Sequence, residues 1–291
     1  MTAIASHRPT RRARRRPTPV ATAALATLVV LVVACAIGPA LLAADPVAIG
    51  DVLATRFVAP GGRDGTGTVH LLGTDAFGRD VLARVLVAGR LSLAVGLAGA
   101  LASGVLGALL GALAGWRGGA LDLAITAVAD ALLAIPRLVL LLVCAALWAP
   151  GIPTLVTVLA LTGWMGVARL VRAEVLGLRR REYVQAALAL GVPPARTLLR
   201  HVLPNALAPA LVATSLGIGG AILLDRGLSY LGLGVQPPAP SWGNMIAGGR
   251  EHLLIAPWIA LAPGGAVVAT VTAATLVGDW LEARLAGREA A

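Results

Sequence analysis

The chain has 291 residues, 58 % of them hydrophobic and only 13 % charged, with a formal net charge of +10 at pH 7. Because soluble domains have an apolar share nearer half, this composition excludes a soluble globular protein and indicates a polytopic membrane protein. All 24 basic residues are arginines, divided among several loops without an aromatic stacking surface, so the charge does not indicate nucleic-acid binding.

The N-terminal region joins an arginine cluster to a long apolar run. The cluster consists of Arg8, Arg11, Arg12, Arg14, Arg15 and Arg16. The run Pro17–Ala44 is longer than the roughly 7–15 apolar residues of a secretory signal, and no clear A-x-A cleavage site follows it. It therefore predicts a retained first membrane span. Cys35 in this span and Cys144 further on are interpreted as small packing residues.

Further spans follow from charge-free runs, because a helix needs roughly 20 mostly apolar residues to cross a bilayer. The clearest are Leu91–Trp116, Val202–Leu224 and Leu253–Gly278. The run Leu138–Ala168 is broken by the sequence PGIP at 150–153, which predicts a tight turn between two helices. The third span must then begin upstream, near Ile125, to be long enough. The sequence thus predicts six spans.

The segment Asp45–Arg90, between the first two spans, contains the sequence HLLGTDAFGRDVLARVLVAGRLSL. Gly73 and Gly78 permit tight backbone conformations, and Thr74 or Asp75 is expected to cap a helix. The residues expected to pair across turns of that helix are Asp80, Arg84 and Arg90.

The second span carries glycines at four-residue spacing, Gly107, Gly111 and Gly115. Small residues let helix backbones approach closely in lipid, where no hydrophobic drive brings helices together. We interpret this face as a helix-packing surface. A second interpretation, that it lines a moving interface, stays open.

The third span contains two ionisable residues, Asp130 and Arg137. A charge at the bilayer centre costs roughly 2.5–3.5 kcal/mol on insertion scales, so both need a partner or water. Two helical turns separate them, which is too far for an easy direct contact. Their expected roles are interface anchoring or a structural or gating network, with a proton relay as a third option.

The polar segment Glu182–Asn205, EYVQAALALGVPPARTLLRHVLPN, follows the fourth span. It predicts two short helices, Glu182–Leu190 and Ala195–His201, joined at Gly191, which stands where a left-handed helix cap belongs. Small residues on one flank would let another protein approach the backbone closely. The alternative is a helical loop that merely carries positive charge.

After the fifth span the sequence LDRGLSYLGLGVQPPAPSWGNMI, Leu224–Ile246, is rich in glycine and proline. It predicts an external loop in which Tyr230 and Trp242 lie at the membrane interface.

The distribution of arginines predicts the orientation. Besides the N-terminal cluster, seven arginines are placed after the fourth span: Arg169, Arg172, Arg179, Arg180, Arg181, Arg196 and Arg200. With six spans both termini share one side, and the positive-inside rule places them in the cytoplasm together with the polar segment.

The polar segment resembles the EAA loop of ABC importer permeases, which docks in a groove of the ATPase subunit. The resemblance rests on the spacing Gln185-Ala186-Ala187, then Gly191, then Leu203-Pro204-Asn205. The residues that it implies for ATPase coupling are Glu182, Tyr183, Gln185, Ala186, Ala187, Gly191, Arg200, Pro204 and Asn205. The chain departs from the family at Gln185, where Glu is usual, and we expect Gln185→Glu to be tolerated.

Two further motifs resemble the dipeptide, oligopeptide and nickel branch of these permeases. The first, the Gly73 motif, matches GTDxxGRD and consists of Gly73, Thr74, Asp75, Gly78, Arg79 and Asp80. The second, the Trp242 motif, matches SxLGLGxxPPxPSWG and contributes Ser229, Leu231, Gly232, Pro237, Pro238, Ser241, Trp242 and Gly243. In the third span Asp122, Asp130 and Pro136 match a further family pattern, although Ala127 stands where an arginine is common. Near the Trp242 motif, Arg226 departs from the family, which usually has a small residue there.

The resemblance implies an all-α type I permease fold with six transmembrane helices and cytoplasmic EAA helices. Residues 1–88 would form a cytoplasmic arginine-rich tail, the first span and an external segment, residues 89–286 the permease domain, and residues 287–291 a cytoplasmic tail. The protein would lie in the plasma (inner) membrane of a prokaryote. Its implied partners are a second homologous permease, two ABC ATPase subunits and an extracytoplasmic solute-binding protein.

The chain contains no lysine, so it cannot form the GxxxxGK[ST] phosphate loop, and ATP would be bound by partner subunits. The sequence shows neither a catalytic constellation nor a metal-ligand cluster, and we expect no cofactor. The alternative function is an ion-coupled secondary transporter, which predicts broken helices with ion ligands at midplane and an internal repeat. Asp130 is the one candidate for such a ligand. The substrate stays open between di- or oligopeptides and nickel-type solutes.

Overall fold

The structure is a computed structural model that describes residues 18–42, 45–49, 51–149, 151–230 and 238–289, with the backbone alone at 145, 223, 225–230 and 285–289. In chain order the elements are α1 Pro19–Leu41, α2 Val52–Thr55, β1 Gly62–Arg63, β2 Val69–His70, α3 Val81–Arg117, α4 Gly119–Ala134, α5 Arg137–Ala146, α6 Ile152–Arg179, α7 Glu182–Ala189, α8 Pro194–Thr197, α9 Leu203–Tyr230, α10 Trp242–Gly249 and α11 Trp258–Glu289. A π-helical turn, Leu198–Val202, joins α8 to α9. The strands β1 and β2 form one antiparallel hairpin in an otherwise helical chain.

Within the described residues, five helices are long and apolar enough to cross a membrane: α1, α3, α6, the rod formed by α8, the π turn and α9, and α11. The third predicted span consists of α4 and α5, which are bent by 99° relative to each other. The helix breaks at Ile135, whose extended φ and ψ of −85° and 129° are those favoured before a proline. The predicted six spans hold if the bent pair is one span.

Several helices extend past the charge-free runs from which they were predicted, whereas α1 lies within its run. α3 begins at Val81 rather than Leu91 because Asp80 caps it, accepting a hydrogen bond of 2.8 Å from the backbone N–H three residues on. Arg169 and Arg172, predicted to follow the fourth span, lie inside α6, which ends at Arg179. The ends of a charge-free run therefore do not mark the ends of the helix.

The closest helix contact joins α3 to α6 along the glycine face of α3. A methyl group added at Gly111 would lie 2.4 Å from the carbonyl oxygen of Ala168. One helical turn away on each side, Gly107 meets the carbonyl of Trp164 at 2.6 Å and Gly115 that of Arg172 at 2.9 Å. Both helices contribute positions four residues apart, so the two backbones run along each other. The predicted packing surface is confirmed, whereas its movement stays a prediction.

The core follows α3 and lies in clusters near its two ends. At one end, buried residues of α1, α3, α9, α10 and α11 surround Trp242. At the other end, small residues of α3, α6 and α9 pack around Val184 of α7. We call these the hairpin end, which also carries α2 and the β hairpin, and the α7 end. The functional motifs divide between them.

The glycine contact predicts a position-specific loss of stability. Gly111→Ala should lower the free energy of unfolding by about 1–3 kcal/mol, because the added methyl group must displace the backbone of α6. The control is Gly166→Ala in α6, since no atom lies within 4 Å of a methyl group added there. Thermal unfolding midpoints of the purified variants in detergent would measure the difference. Equal midpoints for the two variants would contradict this contact.

Candidate functional site

The polar segment starts where α6 ends and is fixed to the bundle by α7. Val184 is fully buried in a cluster with valines of α6 and with Val202 of the π turn. The side-chain amide of Gln185 donates a hydrogen bond of 2.7 Å to the backbone oxygen of Arg179, the last residue of α6. An ionised glutamate cannot donate, so Gln185→Glu would lose this bond, and its tolerance stays a prediction.

The α6 end is itself tied to α3. The guanidinium of Arg179 donates a hydrogen bond of 2.9 Å to the backbone oxygen of Trp116 and lies 5.8 Å from the centre of the Trp116 ring. α7 is thus attached to the α3–α6 pair and not only to its own chain neighbours.

α7 ends in the predicted left-handed cap. Gly191 has a φ of +80°, its N–H donates to the carbonyl of Leu188 at 3.0 Å, and the N–H of Val192 donates to the carbonyl of Ala187 at 3.1 Å. These two bonds are those of a glycine-terminated helix cap. The prediction for Gly191 is confirmed.

The second predicted helix, Ala195–His201, is not a separate element, and this expectation was wrong. It is the first part of a rod that continues through the π turn into α9. Pro204 lacks the N–H of a normal helical turn, and the wider turn, in which the N–H of Leu203 bonds Leu198, accommodates it. The side chain of Asn205 donates a hydrogen bond of 2.9 Å to His201 O at this irregular turn.

The polar segment has a buried face and an exposed face. Thr197, like Val184 and Val202, is fully buried. Of the predicted coupling residues, those exposed are Glu182, Tyr183, Gln185, Ala186, Gly191, Arg200, Pro204 and Asn205, whereas Ala187 is half-buried. The sequence interpretation missed Leu190 and Leu199, which are 85 % and 63 % exposed. Their signal was two leucines in a polar segment.

The intramembrane aspartates are paired with arginines of α6. Asp122 accepts two hydrogen bonds from the guanidinium of Arg172, at 2.5 and 2.7 Å. Asp130 forms an ion pair with Arg169. The partner that we sought for Asp130 is therefore Arg169, which was predicted to lie in a loop, and Arg137 is not part of this network.

The Gly73 motif folds into a tight knot at the hairpin end. Gly73 and Gly78 both have a φ of +75°. A methyl group added at Gly73 would clash with Val58 O, and one added at Gly78 would clash with the Thr55 hydroxyl. Thr74 is fully buried; its hydroxyl donates to Thr55 O at 2.6 Å and accepts from Val58 N at 2.8 Å. Neither Thr74 nor Asp75 caps a helix, so that expectation was wrong.

We had expected the charged residues of this region to pair along α3. They pair across the knot instead. Asp75 accepts hydrogen bonds from the backbone and side chain of Arg79, and the Arg84 guanidinium lies 3.5 Å away. Arg90 donates to Cys35 O in α1 at 2.8 Å. These contacts hold the start of α3 to the preceding segment and to α1.

His70 lies between two carboxylates and was missed as a site residue. Its ring nitrogens lie 2.8 Å from an Asp80 oxygen and 3.2 Å from an Asp64 oxygen, and its side chain is 8 % exposed. Burial alone would lower the pKa of His70, but the hydrogen bonds and charges of Asp80 and Asp64 outweigh burial and raise it. The pKa of Asp64 is held below its usual range by the Thr66 hydroxyl, against desolvation, and then by His70. The protonated imidazolium can donate to both carboxylates at once.

The described part of the Trp242 motif is buried rather than interfacial. Ser241 and Asn244 form a capping box that starts α10. Trp242 is fully buried; its indole N–H donates to Val85 O at 2.9 Å and its backbone N–H to the Ser92 hydroxyl at 3.1 Å. The prediction of an interfacial Trp242 was wrong, because the ring fills a gap against α3. Gly243 is also buried and Pro238 is exposed, whereas Leu231, Gly232, Pro237 and the side chains of Ser229 and Tyr230 lie outside the described residues.

The two motifs meet at the start of α3. Trp242 binds α3 itself, and the indole N–H of Trp258, the first residue of α11, donates to Thr74 O at 3.0 Å. Both motifs therefore build one rigid cap on the hairpin end.

Two openings between the helices differ in chemistry. A groove of about 1380 Å³ runs between α1, α10 and α11 and is lined mainly by apolar side chains. A cavity of about 80 Å³ lies between α3, α6 and α9, and Arg137 is part of its wall.

The family model described as "Binding-protein-dependent transport system inner membrane component" matches residues 107–287, which include the glycine face, the polar segment and α11. The chain belongs to this family. It is 36 % identical over 212 residues to the oligopeptide transport system permease protein OppC of Bacillus subtilis, covering 73 % of this chain and 70 % of that one. It is 37 % identical over 217 residues to the dipeptide transport system permease protein DppC of Alkalihalophilus pseudofirmus, covering 75 % and 71 %. It is also 46 % identical over 209 residues to the "Probable peptide ABC transporter permease protein y4tQ" of Sinorhizobium fredii, covering 72 % of each chain.

This binding-protein-dependent family is one of inner-membrane transport components, not of enzymes. The bend of the third span is a feature that we had associated with ion-coupled transporters. Asp130, however, is paired with Arg169 rather than available as an ion ligand. No observation favours the ion-coupled alternative.

The contact of His70 with Asp64 and Asp80, which we call the His70 clamp, predicts a pH dependence of stability. A raised pKa in the folded state means that the clamp contributes its full stability below the ordinary value of 6.5 and loses it as the pH rises through the higher folded value. Between pH 6 and pH 9 the unfolding midpoint of the wild-type protein should fall more than that of His70→Gln, whose amide does not titrate. Asp80→Asn is the matched control that separates the charge of Asp80 from its capping of α3, since asparagine still caps the helix but lacks the charge. Parallel pH curves for wild type and His70→Gln would contradict the clamp.

Proposed function

We propose that this chain is a membrane-spanning subunit of an ATP-driven importer for di- or oligopeptides. The observation that carries the proposal is the polar segment, whose exposed face of small and apolar residues is continuous with a membrane span. The names of the relatives support peptides over nickel-type solutes as the cargo.

The α7 end lies in the cytoplasm in this proposal, together with both termini. Arginines concentrate there, at Arg179–Arg181, Arg196 and Arg200, as the positive-inside rule expects. The hairpin end then faces outward and offers its rigid cap to an extracytoplasmic solute-binding protein.

ATP hydrolysis belongs to separate subunits in this proposal. The chain has no lysine with which to build a phosphate loop, so ATP is bound by two ABC ATPase partners. A second, homologous permease completes the path in this proposal. The chain needs no cofactor of its own.

The packing supports a division into a fixed and a moving part. α3 and α6 touch backbone to backbone at three glycines. α3 and α9 also meet at glycines, but against side chains: methyl groups added at Gly96 and Gly104 would meet the side chains of Ile222 and Thr214 at 2.5 and 2.4 Å. Side chains change rotamer more easily than a backbone moves, so an ATPase that displaces α8 would shift α9 against α3. This movement would exchange inward-open and outward-open states.

Two substitutions in the polar segment test the coupling. Gly191→Val should strain the left-handed cap by roughly 1–2 kcal/mol, since a β-branched residue disfavours positive φ, and so misplace α8. Ala187→Glu should place a charge against the ATPase and desolvate it. In the assembled complex, peptide uptake and the stimulation of ATP hydrolysis by the loaded binding protein should fall together.

The matched control for Gly191 is Gly191→Asn, because asparagine tolerates the left-handed region and an added Cβ atom meets no other atom within 4 Å. Its coupled uptake should stay close to that of the wild type. Separately, the permease without its partners should hydrolyse no ATP. Normal coupled uptake in both Gly191→Val and Ala187→Glu, at wild-type assembly levels, would show that the segment is a passive loop.

Cysteine accessibility tests the orientation. In a variant without Cys35 and Cys144, an impermeant thiol reagent should label Arg63→Cys and Ala239→Cys from outside intact cells, because both positions are exposed at the hairpin end. Ala195→Cys should react only after the membrane is opened. Labelling of Ala195→Cys in intact cells would invert the topology and remove ATPase docking with it.

A further inference from the structure

Arg137 is a charged residue near the middle of the membrane-spanning bundle. It is the first residue of α5, directly after the break between α4 and α5. Its guanidinium lies 3.2 Å from the position of a methyl group added at Gly163. Gly163 is eleven residues from Ile152, the start of α6. At 1.5 Å per residue this is about 17 Å along a hydrocarbon layer of roughly 30 Å.

Arg137 has no protein partner in the described part of the chain, where it makes neither an ion pair nor a hydrogen bond. The two aspartates of its own span are already bound, Asp122 to Arg172 and Asp130 to Arg169. A guanidinium carries five N–H donors in a fixed planar arrangement. A charged group at this depth without a partner is costly, which makes an intramembrane arginine a candidate functional group.

The cavity beside Arg137 is small and lined by small residues. Its volume is about 80 Å³, and its walls include Gly99 of α3, Gly163 of α6 and Gly217 of α9. The hydroxyls of Ser103 and Thr214 in its wall donate to carbonyls of their own helices. The hydrogen-bond donors that stay unused are therefore the N–H groups of the Arg137 guanidinium. A water molecule occupies about 30 Å³ in the liquid, so the cavity has room for a carboxylate group but not for a whole peptide.

We infer that Arg137 receives the C-terminal carboxylate of the transported peptide on its way through the membrane. A guanidinium binds a carboxylate through two parallel N–H···O bonds, a geometry that lysine cannot provide. The site lies between α9, which moves in the proposed function, and the α3–α6 pair, which does not. Arg137 is exposed at the surface of the chain as well as in the cavity, so a ligand outside the bundle can reach it. This inference rests on the proposed function, since it assigns a substrate group to a residue of the same path.

The test compares two peptides in proteoliposomes that contain the complete complex and its binding protein. Radiolabelled tri-alanine with a free C-terminal carboxylate and tri-alanine amide are taken up by wild type, Arg137→Gln and Arg137→Lys. The measured quantity is the ratio of the two uptake rates. Any preference of the binding protein is the same for all variants and cancels when their ratios are compared.

Arg137→Gln should lower the preference for the free carboxylate at least tenfold while uptake of the amide stays unchanged. Arg137→Lys should keep part of the preference, because it keeps the charge but loses the planar arrangement of donors. It also serves as the second variant if Arg137→Gln does not fold. Arg117→Gln, which removes an exposed arginine at the end of α3, should leave the ratio unchanged.

An equal loss of uptake for both peptides in Arg137→Gln would overturn the inference and make Arg137 a gating residue. Loss of the partner permease from the purified Arg137→Gln complex would also overturn it, because the guanidinium would then bind a carboxylate of that subunit. Uptake of neither peptide by the wild-type complex would overturn the proposed function and this inference with it. Uptake of both, with the ratio unchanged in Arg137→Gln, would overturn this inference alone.

Discussion

The contact between α3 and α6 is the constraint on which the rest of the structure depends. In lipid the hydrophobic effect does not draw helices together, so close packing of the backbones has to stabilise their contact. Gly107, Gly111 and Gly115 allow that approach along two helical turns. One end of this pair then carries α7 and the polar segment, and the other end of α3 carries the cap built from the Gly73 and Trp242 motifs. A change in the crossing of α3 and α6 would displace both surfaces.

The polar segment combines a fixed and a movable attachment. Val184 and Gln185 bind α7 to the end of α6, and Arg179 binds that end to α3. After the left-handed cap at Gly191, α8 belongs instead to the rod that becomes α9. The polar segment therefore touches both sides of the contact that we propose to shift, so in the proposed function a small displacement at the α7 end would change the packing along a whole span. The capped hairpin end gives α3 a fixed point against which this movement acts.

The sequence was most informative where a single residue determines local geometry. Gly191 and the four-residue glycine spacing were predicted from backbone sterics alone, and the apolar runs identified the spans. The sequence was least informative about contacts between distant segments. Trp242 looked like an interfacial aromatic because nothing local shows that it fills a gap against α3. Asp130 lacked a visible partner because Arg169 was assigned to a loop. The pairing of His70 with Asp64 and Asp80 could not be predicted because it depends on the structure of the folded hairpin. The bend before Arg137 was signalled by Pro136, but its size of 99° depends on how α5 packs against α6.

The central claim, that the polar segment is the surface on which a separate ATPase docks, is tested most directly by site-specific photo-cross-linking. A photoreactive phenylalanine at Leu190, which is 85 % exposed on the polar segment, is compared with one at Leu254, which is fully exposed at the hairpin end. We predict that, in a transport-active complex, the adduct at Leu190 contains an ABC ATPase subunit identified by mass spectrometry, and that the adduct at Leu254 does not. An ATPase adduct at Leu254, or none at Leu190 in such a complex, would contradict the account.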